Sequence, residues 1–166
     1  MTELTQERLK ELLSYDLETG VFTNLIKRGC VKKGAVAGTK HSKGYIQIKI
    51  DCKFYLAHRL VWLYVYGNFP ENELDHINEI KDDNCIINLR PATRQENLHN
   101  VSSPFVTNTS GFRGVSWFKK YQKWQAQISI NRKRKHLGLF NTPEEASEVY
   151  LTAKRKYHPF WEEKAS

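Results

Sequence analysis

One stretch of the chain, LDHINEIKDDNCIINLRPATRQENLHN (residues 74–100), gathers residue types that do chemistry together. Asp75 and His76 are adjacent, Asn88 follows twelve residues after the histidine, and Asn97 nine after that. A carboxylate and an amide oxygen are hard ligands, suited to Mg²⁺ or a similar cation that also takes phosphate oxygens. A neutral imidazole beside such an ion accepts a proton from water, because its ordinary pKa lies near neutrality. The ion in turn neutralises charge growing on phosphoryl oxygens. Asp75, His76 and Asn97 therefore have the parts to hydrolyse a phosphodiester. Asn88, donor and acceptor in one side chain, has the part to pin the loop that holds His76.

Other readings of the spacing stay open at this level. An Asp-His dipeptide also serves as a surface pair at a turn. Structural zinc would draw on His58, His76, Cys85 and His99, but these lack the close pairing of such sites, and the chain has no Cys-x-x-Cys. An EF-hand fails, because the positions that should hold ligands carry Ile77 and Glu79 and the required Gly is Ile80. No serine- or cysteine-nucleophile motif is present.

Positioning the set requires two short extended arms and a helix. Thr93-Arg94-Gln95-Glu96 matches a capping box, so a helix is expected from Arg94, with Asn97 at the end of its first turn. Asp75-His76 is expected on an extended segment before a loop, and Asn88 just before the chain returns toward that helix. Upstream, Leu9, Leu12 and Leu13 sit at helical spacing behind a Thr5 cap, and ETGVFTN reads as a turn and a short strand. GYIQIKI alternates as a half-buried strand and turns through Asp51-Cys52-Lys53 into FYLA, a hairpin. AHRLVWLYVYG is too continuously apolar for a surface and reads as a buried helix ending at Gly67. His58 on that helix is left open between core and catalysis.

The totals fit a folded protein of one domain or two small ones: 166 residues, 40% hydrophobic and 12% aromatic. No apolar run is long enough for a membrane span, and the polar amphipathic start does not read as a secretory signal. Three widely spaced cysteines make a disulfide framework improbable and suit a reducing cytoplasm. The net charge of +8 is unevenly placed. Residues 1–104 hold 14 Lys/Arg against 13 Asp/Glu, whereas residues 105–166 hold 12 against 5. A basic segment that also looks folded points to nucleic acid.

That segment follows a small, polar linker, VSSPFVTNTSG, where the domain boundary is placed. Beyond it lie three strand-like pieces, FRGVSWF, KWQAQISI and KRKHLGLF. A helix follows, opened by Thr142-Pro143-Glu144-Glu145, with Ala146, Val149, Tyr150, Ala153 and Tyr157 as its apolar stripe. In KWQAQISI, Trp124, Ala126, Ile128 and Ile130 alternate with Lys123, Gln125, Gln127 and Ser129. The first set is expected to pack on the helix. The second forms a polar face, either solvated or able to lie in a DNA major groove, where Gln and Arg reach base edges and Lys reaches phosphate.

At AHRLVWLYVYGNFPENELDHINEIKDDNCIINLRPATRQENLHN the chain resembles the HNH nucleases found among phage-borne and free-standing homing endonucleases; LLSYDLETGVFTN and GYIQIKI resemble their amino-terminal part. The resemblance implies the ββα-metal fold, with His76 as the general base that activates water and Asp75 as a metal ligand. Asn88 would be the middle asparagine that steadies the motif, and Asn97 the second metal ligand, where many relatives have histidine. This His-Asn-Asn variant implies a hard cation, Mg²⁺ or Mn²⁺. Relatives with structural zinc carry two Cys-x-x-Cys pairs, so no zinc is expected. Arg59, Arg90 and Arg94 are candidates for phosphate contacts.

SGFRGVSWFKKYQKWQAQISINRKRKHLGLFNTPEEASEVYLTAKRKYHP resembles the plant ethylene-response-factor DNA-binding domain, in which the sheet lies in the major groove. By that resemblance Arg113, Lys119, Gln127, Arg134 and His136 fall on DNA contact positions, while Ser116 and Ser129 replace arginines of the plant proteins. Trp124 is assigned to the core, and Trp117 is left open.

The expectation is an α+β protein in two domains. Residues 1–104 form a ββα-metal nuclease preceded by a β-rich part, and residues 105–166 a three-stranded antiparallel sheet plus helix. The expected activity is metal-dependent, homing-type cleavage of double-stranded DNA, with nicking the simpler outcome for a monomer or weak dimer. The expected location is the cytoplasm of a bacterial or phage-infected cell, without a membrane partner. The alternative is a non-catalytic DNA-binding regulator with a degenerate nuclease half.

Overall fold

The computed structural model describes residues 3–104, 107–158 and 160–161; Phe105 and Val106 of the expected linker, Pro159 and residues 162–166 lie outside that set. The architecture is α+β, and the chain divides into two compact units, residues 1–97 and 98–166. Residues 98–104, expected to end the first domain, group with the second unit.

The first unit opens with α1 (Gln6–Leu12), whose first turn is capped by Thr5 Oγ1 accepting the Arg8 amide at 3.2 Å. Leu9, Leu12 and Leu13 are fully buried, and burying each leucine contributes about 1.5–3 kcal/mol. Antiparallel β1 (Leu13–Tyr15) and β2 (Phe22–Asn24) form the first hairpin. A three-stranded sheet follows: β3 (Thr39–Lys40), β4 (Ile46–Ile50) and β5 (Lys53–Leu56). Asp51 and Cys52 form the β4–β5 turn with φ of 45° and 66°. Two successive left-handed residues match the right-handed twist of the strands they join. The apolar run becomes α2 (Ala57–Tyr66), ended by Gly67 at φ 82°, where a Cβ would be strained. Its Leu60, Val61 and Leu63 meet the α1 leucines, Phe22, Ile48 and Ile50 in one core.

β6 (Glu73–His76) and β7 (Leu89–Ala92) then pair antiparallel, and α3 (Arg94–Asn100) closes the motif. The loop between these strands ends in a single 3-10 turn, Ile86–Asn88. The β1–β2 turn buttresses this loop. Tyr15 donates its hydroxyl to the Asn84 carbonyl at 2.8 Å, and burial pushes that phenol up to about 12. Cys85 donates its thiol to the Glu18 carbonyl at 3.1 Å. Gly20, at φ 71°, packs so closely that a Cβ would lie 2.4 Å from the Cys85 nitrogen and 2.5 Å from the Asn84 carbonyl carbon. Gly20→Ala therefore combines left-handed strain with a backbone clash. The expected loss is about 2–4 kcal/mol, or roughly 5–15 °C in melting temperature. A melt indistinguishable from the parent would overturn this packing.

In the second unit β8 (Val115–Phe118), β9 (Lys123–Ile130) and β10 (Lys133–Phe140) form an antiparallel sheet in the order β10-β9-β8. Helix α4 (Pro143–Tyr157) packs on it through Ala146, Tyr150 and Ala153, which meet Val115, Ala126 and Ile128. Thr142 caps α4 through the Glu145 amide at 3.3 Å, with Pro143 in the first turn. A bulge between His136 and Gly138 shifts the β10 register. The exposed, basic half of β10 thus gives way to Leu137 and Phe140, which pack on the core.

Residues 98–104 are strapped to this unit. Arg113 donates to the carbonyls of Ser103 at 3.1 Å and Leu98 at 3.4 Å. Lys154, only 1% exposed, donates to the Val101 carbonyl at 3.0 Å and lies 4.3 Å from the Trp161 ring centroid. Trp161 donates Nε1 to Ser102 Oγ, and the His99 and His158 rings stack at 3.6 Å. Among the described residues no helix is long and apolar enough to cross a membrane.

Candidate functional site

Asp75 and His76 end strand β6 and are 4% and 5% exposed. The β6–β7 register places Asp75 opposite Arg90 and His76 opposite Leu89. Arg90 donates Nε to Asp75 Oδ2 at 3.1 Å, a largely buried ion pair. Glu73 lies two residues before Asp75, so strand alternation gives their side chains one face. Asn97 reaches that face by donating Nδ2 to Glu73 Oε2 at 3.0 Å, which leaves its Oδ1 as the atom able to ligate a cation. Its helix is started by the Thr93–Glu96 capping box, in which Glu96 donates its amide to Thr93 Oγ1 and accepts from the Thr93 amide at 2.8 Å.

Asn88 is buried at the foot of the loop and holds it shut. Its Oδ1 accepts the Asn78 amide at 3.0 Å, and its Nδ2 donates to Asn78 Oδ1 at 3.0 Å and to the Asp83 carbonyl at 2.9 Å. Asn78 donates Nδ2 to Asp83 Oδ2 at 2.6 Å. Four hydrogen bonds thus close the loop between the two strands.

His76 lies in a nest of rings. His58, in the first turn of α2, stands edge-on to it with centroids 5.1 Å apart and planes at 83°. Tyr45 lies 5.9 Å from His76 and 5.3 Å from His58. His76 Nε2 is 3.4 Å from Asn84 Oδ1, a long contact. Burial lowers the His76 pKa from the ordinary imidazole value, opposed by the Asn84 contact and the nearby Asp75 carboxylate. Burial pushes His58 down to about 3, assisted by His76 and Arg59. Both imidazoles are therefore neutral near pH 7, the state in which an imidazole can take a proton.

The other expected contact residues are scattered over both units. Arg59 donates to the Pro70 carbonyl at 3.3 Å and lies over the Phe69 ring, holding the turn after α2. Arg94 is exposed on the first turn of α3, and Lys119 in the β8–β9 turn. Gln127 pairs with His136, and Arg134 with Ser129, across β9 and β10, on the open face of the sheet. Trp117 is 43% exposed and meets Trp124 edge-on at 5.1 Å. Of the residues named for zinc, His58 and His76 lie side by side, whereas Cys85 donates to the Glu18 carbonyl and His99 stacks on His158. Among the described residues no three or more His, Cys, Asp or Glu side chains cluster as a metal site.

Gln125, expected on the polar face of β9, is bonded there to His136 Nδ1 at 2.8 Å. Sequence reasoning missed two partners. Asn84 gave no signal, since an amide in a polar run reads as a solvated loop. Glu73 gave only its two-residue offset from Asp75.

Two antiparallel strands, a closed loop and a following helix, with this acid, histidine and pair of amides, define the ββα class of nucleases. The HNH endonuclease family model matches residues 55–99. Protein 3.8 of Escherichia phage T7 is 30% identical over 112 residues, covering 65% of this chain and 92% of that one. The chain belongs to the HNH endonuclease family. It is also similar to the AP2-like ethylene-responsive transcription factor ANT of Arabidopsis thaliana, 38% identical over 77 residues. That match takes in 43% of this chain but only 14% of the plant protein. The solved HNH homing endonuclease I-HmuI aligns over 87% of this chain and 80% of its own, at a TM-score of 0.41 and 20% identity.

Proposed function

We propose that this chain is a homing-type DNA endonuclease that nicks its target, with the first unit cutting and the second locating the site. The observation that carries the reading is the Asn97–Glu73 contact, which brings an amide oxygen to the strand face that bears Asp75. A carboxylate and an amide oxygen suit a hard divalent ion, Mg²⁺ or Mn²⁺, completed by water and a phosphate oxygen. When bound there, such an ion would neutralise charge on the phosphoryl group. Neutral His76 accepts a proton from water as its oxygen bonds to phosphorus. The phosphorus–O3′ bond breaks, and the leaving oxygen takes a proton from solvent, giving 5′-phosphate and 3′-hydroxyl ends. Asn88 keeps the loop closed around the base, and Arg94 offers a phosphate contact.

The polar face of the second unit supplies the reader, with Gln125, Gln127, Arg134 and His136 toward the major groove and Lys119 toward phosphate. Arg113 is assigned to the strap, since its guanidinium already serves two carbonyls. Binding measured against salt separates these roles. Lys119→Ala should reduce the slope of log affinity against log salt by about 0.9, as the loss of one phosphate contact does, whereas Arg134→Ala should relax sequence preference. Arg113→Ala should leave the slope unchanged and lower the melting temperature. The reverse pattern would overturn the assignment.

The Asp75–Arg90 ion pair favours one other reading, a regulator whose acid is permanently occupied by arginine. Plasmid nicking with Mg²⁺ decides between them: DNA binding without cleavage in any divalent metal would support the regulator. The protein is proposed to act as a monomer or weak dimer in the cytoplasm of a bacterial or phage-infected cell.

A further inference from the structure

On the open face of the second unit's sheet, Gln125 Nε2 lies 2.8 Å from His136 Nδ1. His136 stands opposite Gln127 in the β9–β10 register, so Gln125 reaches it diagonally along its own face of the sheet. Ala126 and Ile128, which alternate with these glutamines, turn the other way into the core beneath α4. An amide nitrogen only donates, so the ring nitrogen that faces it must be the bare one. A neutral imidazole then carries its proton on the other nitrogen, and His136 Nε2 becomes an N–H donor. Among the described residues His136 makes no other side-chain hydrogen bond, so that donor is open to a ligand. On the major-groove edge of DNA the acceptors are purine N7, guanine O6 and thymine O4, whereas cytosine presents only its N4 amino donor.

We infer that Gln125 is a positioning residue for His136: by donating to Nδ1 it fixes the ring as an Nε2–H donor, and His136 then selects a base with an acceptor on its major-groove edge over cytosine. This rests on the second unit's sheet being the DNA reader. Gln125 accordingly acts on sequence preference through the histidine. An amide whose nitrogen is turned to a neighbouring ring is not set for the bidentate pairing that a free glutamine makes with adenine. Gln127, whose side chain has no hydrogen-bond partner among the described residues, keeps that pairing open.

The test uses the full chain in two measurements. Long-range ¹H–¹⁵N spectra at about pH 8, above the ordinary imidazole range, distinguish a protonated ring nitrogen from a bare one. The His136 signals are those lost in His136→Ala. In the parent Nδ1 should be bare and Nε2 protonated. In Gln125→Glu, which keeps the shape but offers only acceptors, Nδ1 should carry a proton. The second measurement is binding to a randomised duplex library with divalent metal withheld, so that the DNA stays whole. His136→Ala should lose an about two- to tenfold preference for an acceptor-bearing base at one position, the scale of a single hydrogen bond. Gln125→Ala should weaken the preference at that same position, and the double variant should match His136→Ala. A protonated Nδ1 in the parent, a Gln125 effect at a different position, or one that persists without His136 would overturn the inference. Spectra as expected with base preference unchanged in every variant would also overturn it, because this face of the sheet would then not be the reader.

Discussion

His76→Ala is expected to reduce single-turnover nicking by about a hundred- to ten-thousandfold while leaving DNA affinity within about twofold, the range for removing a positioned general base. Affinity should survive because the imidazole is 5% exposed and lies against the His58 and Tyr45 rings. The pH profile supplies an independent check. Burial lowers the folded pKa of His76, so the proton that blocks the base leaves at lower pH than from a free imidazole. The rate should rise with pH through a midpoint that lies below the ordinary imidazole pKa of about 6.5. In His76→Ala that rising limb should vanish along with the rate. A limb centred above about 6.5 would mean that the titrating group is not this histidine.

Arg90→Ala carries the largest expected cost in stability. Asp75 is 4% exposed and faces the Arg90 Nε at 3.1 Å, so removing the guanidinium leaves a buried carboxylate with its charge poorly compensated. Losing one partner of such a pair costs about 3–5 kcal/mol, most of it the penalty on the charge left behind. The same substitution should make stability depend on divalent metal. A cation beside Asp75 replaces the missing positive charge, so the variant's melting temperature should climb with Mg²⁺ by more than the parent's does. Saturating metal at a hundred times its dissociation constant would return about 2.7 kcal/mol. A melt indifferent to Mg²⁺ in both proteins would argue that Asp75 does not hold a metal. In the parent, an ion bound at Asp75 would compete with Arg90 for one carboxylate, and a weak resting affinity for metal is the expected result.

Much of the local structure was legible because one physical signal dominated each element. The unbroken apolar run of α2 with a left-handed glycine after it, the two capping boxes, and the alternation of β9 each point one way, and each element formed where expected. The pairing of Asp75 with Arg90 was not legible, because strands joined by a long loop have no register written in the turn. Lys154 shows the other limit. It falls on the same helical stripe as Ala146 and Tyr150, eight and four residues before it, yet its charge argued for solvent. What makes burial tolerable is the Val101 carbonyl and the Trp161 ring, one of them 53 residues away. Arg113 illustrates the same difficulty, since only coordinates reveal which carbonyls reach a guanidinium.

The buttress of the first hairpin has a bearing on any attempt to borrow this cutting module. The stretch shared with the family starts at residue 55, yet the loop behind the histidine leans on Tyr15, Glu18 and Gly20. A graft carrying only the shared stretch would move the reactive side chains while leaving behind the wall against which they are braced. The smallest portable cutter is therefore slightly more than twice as long as the signature by which it is recognised, and it begins at the first helix.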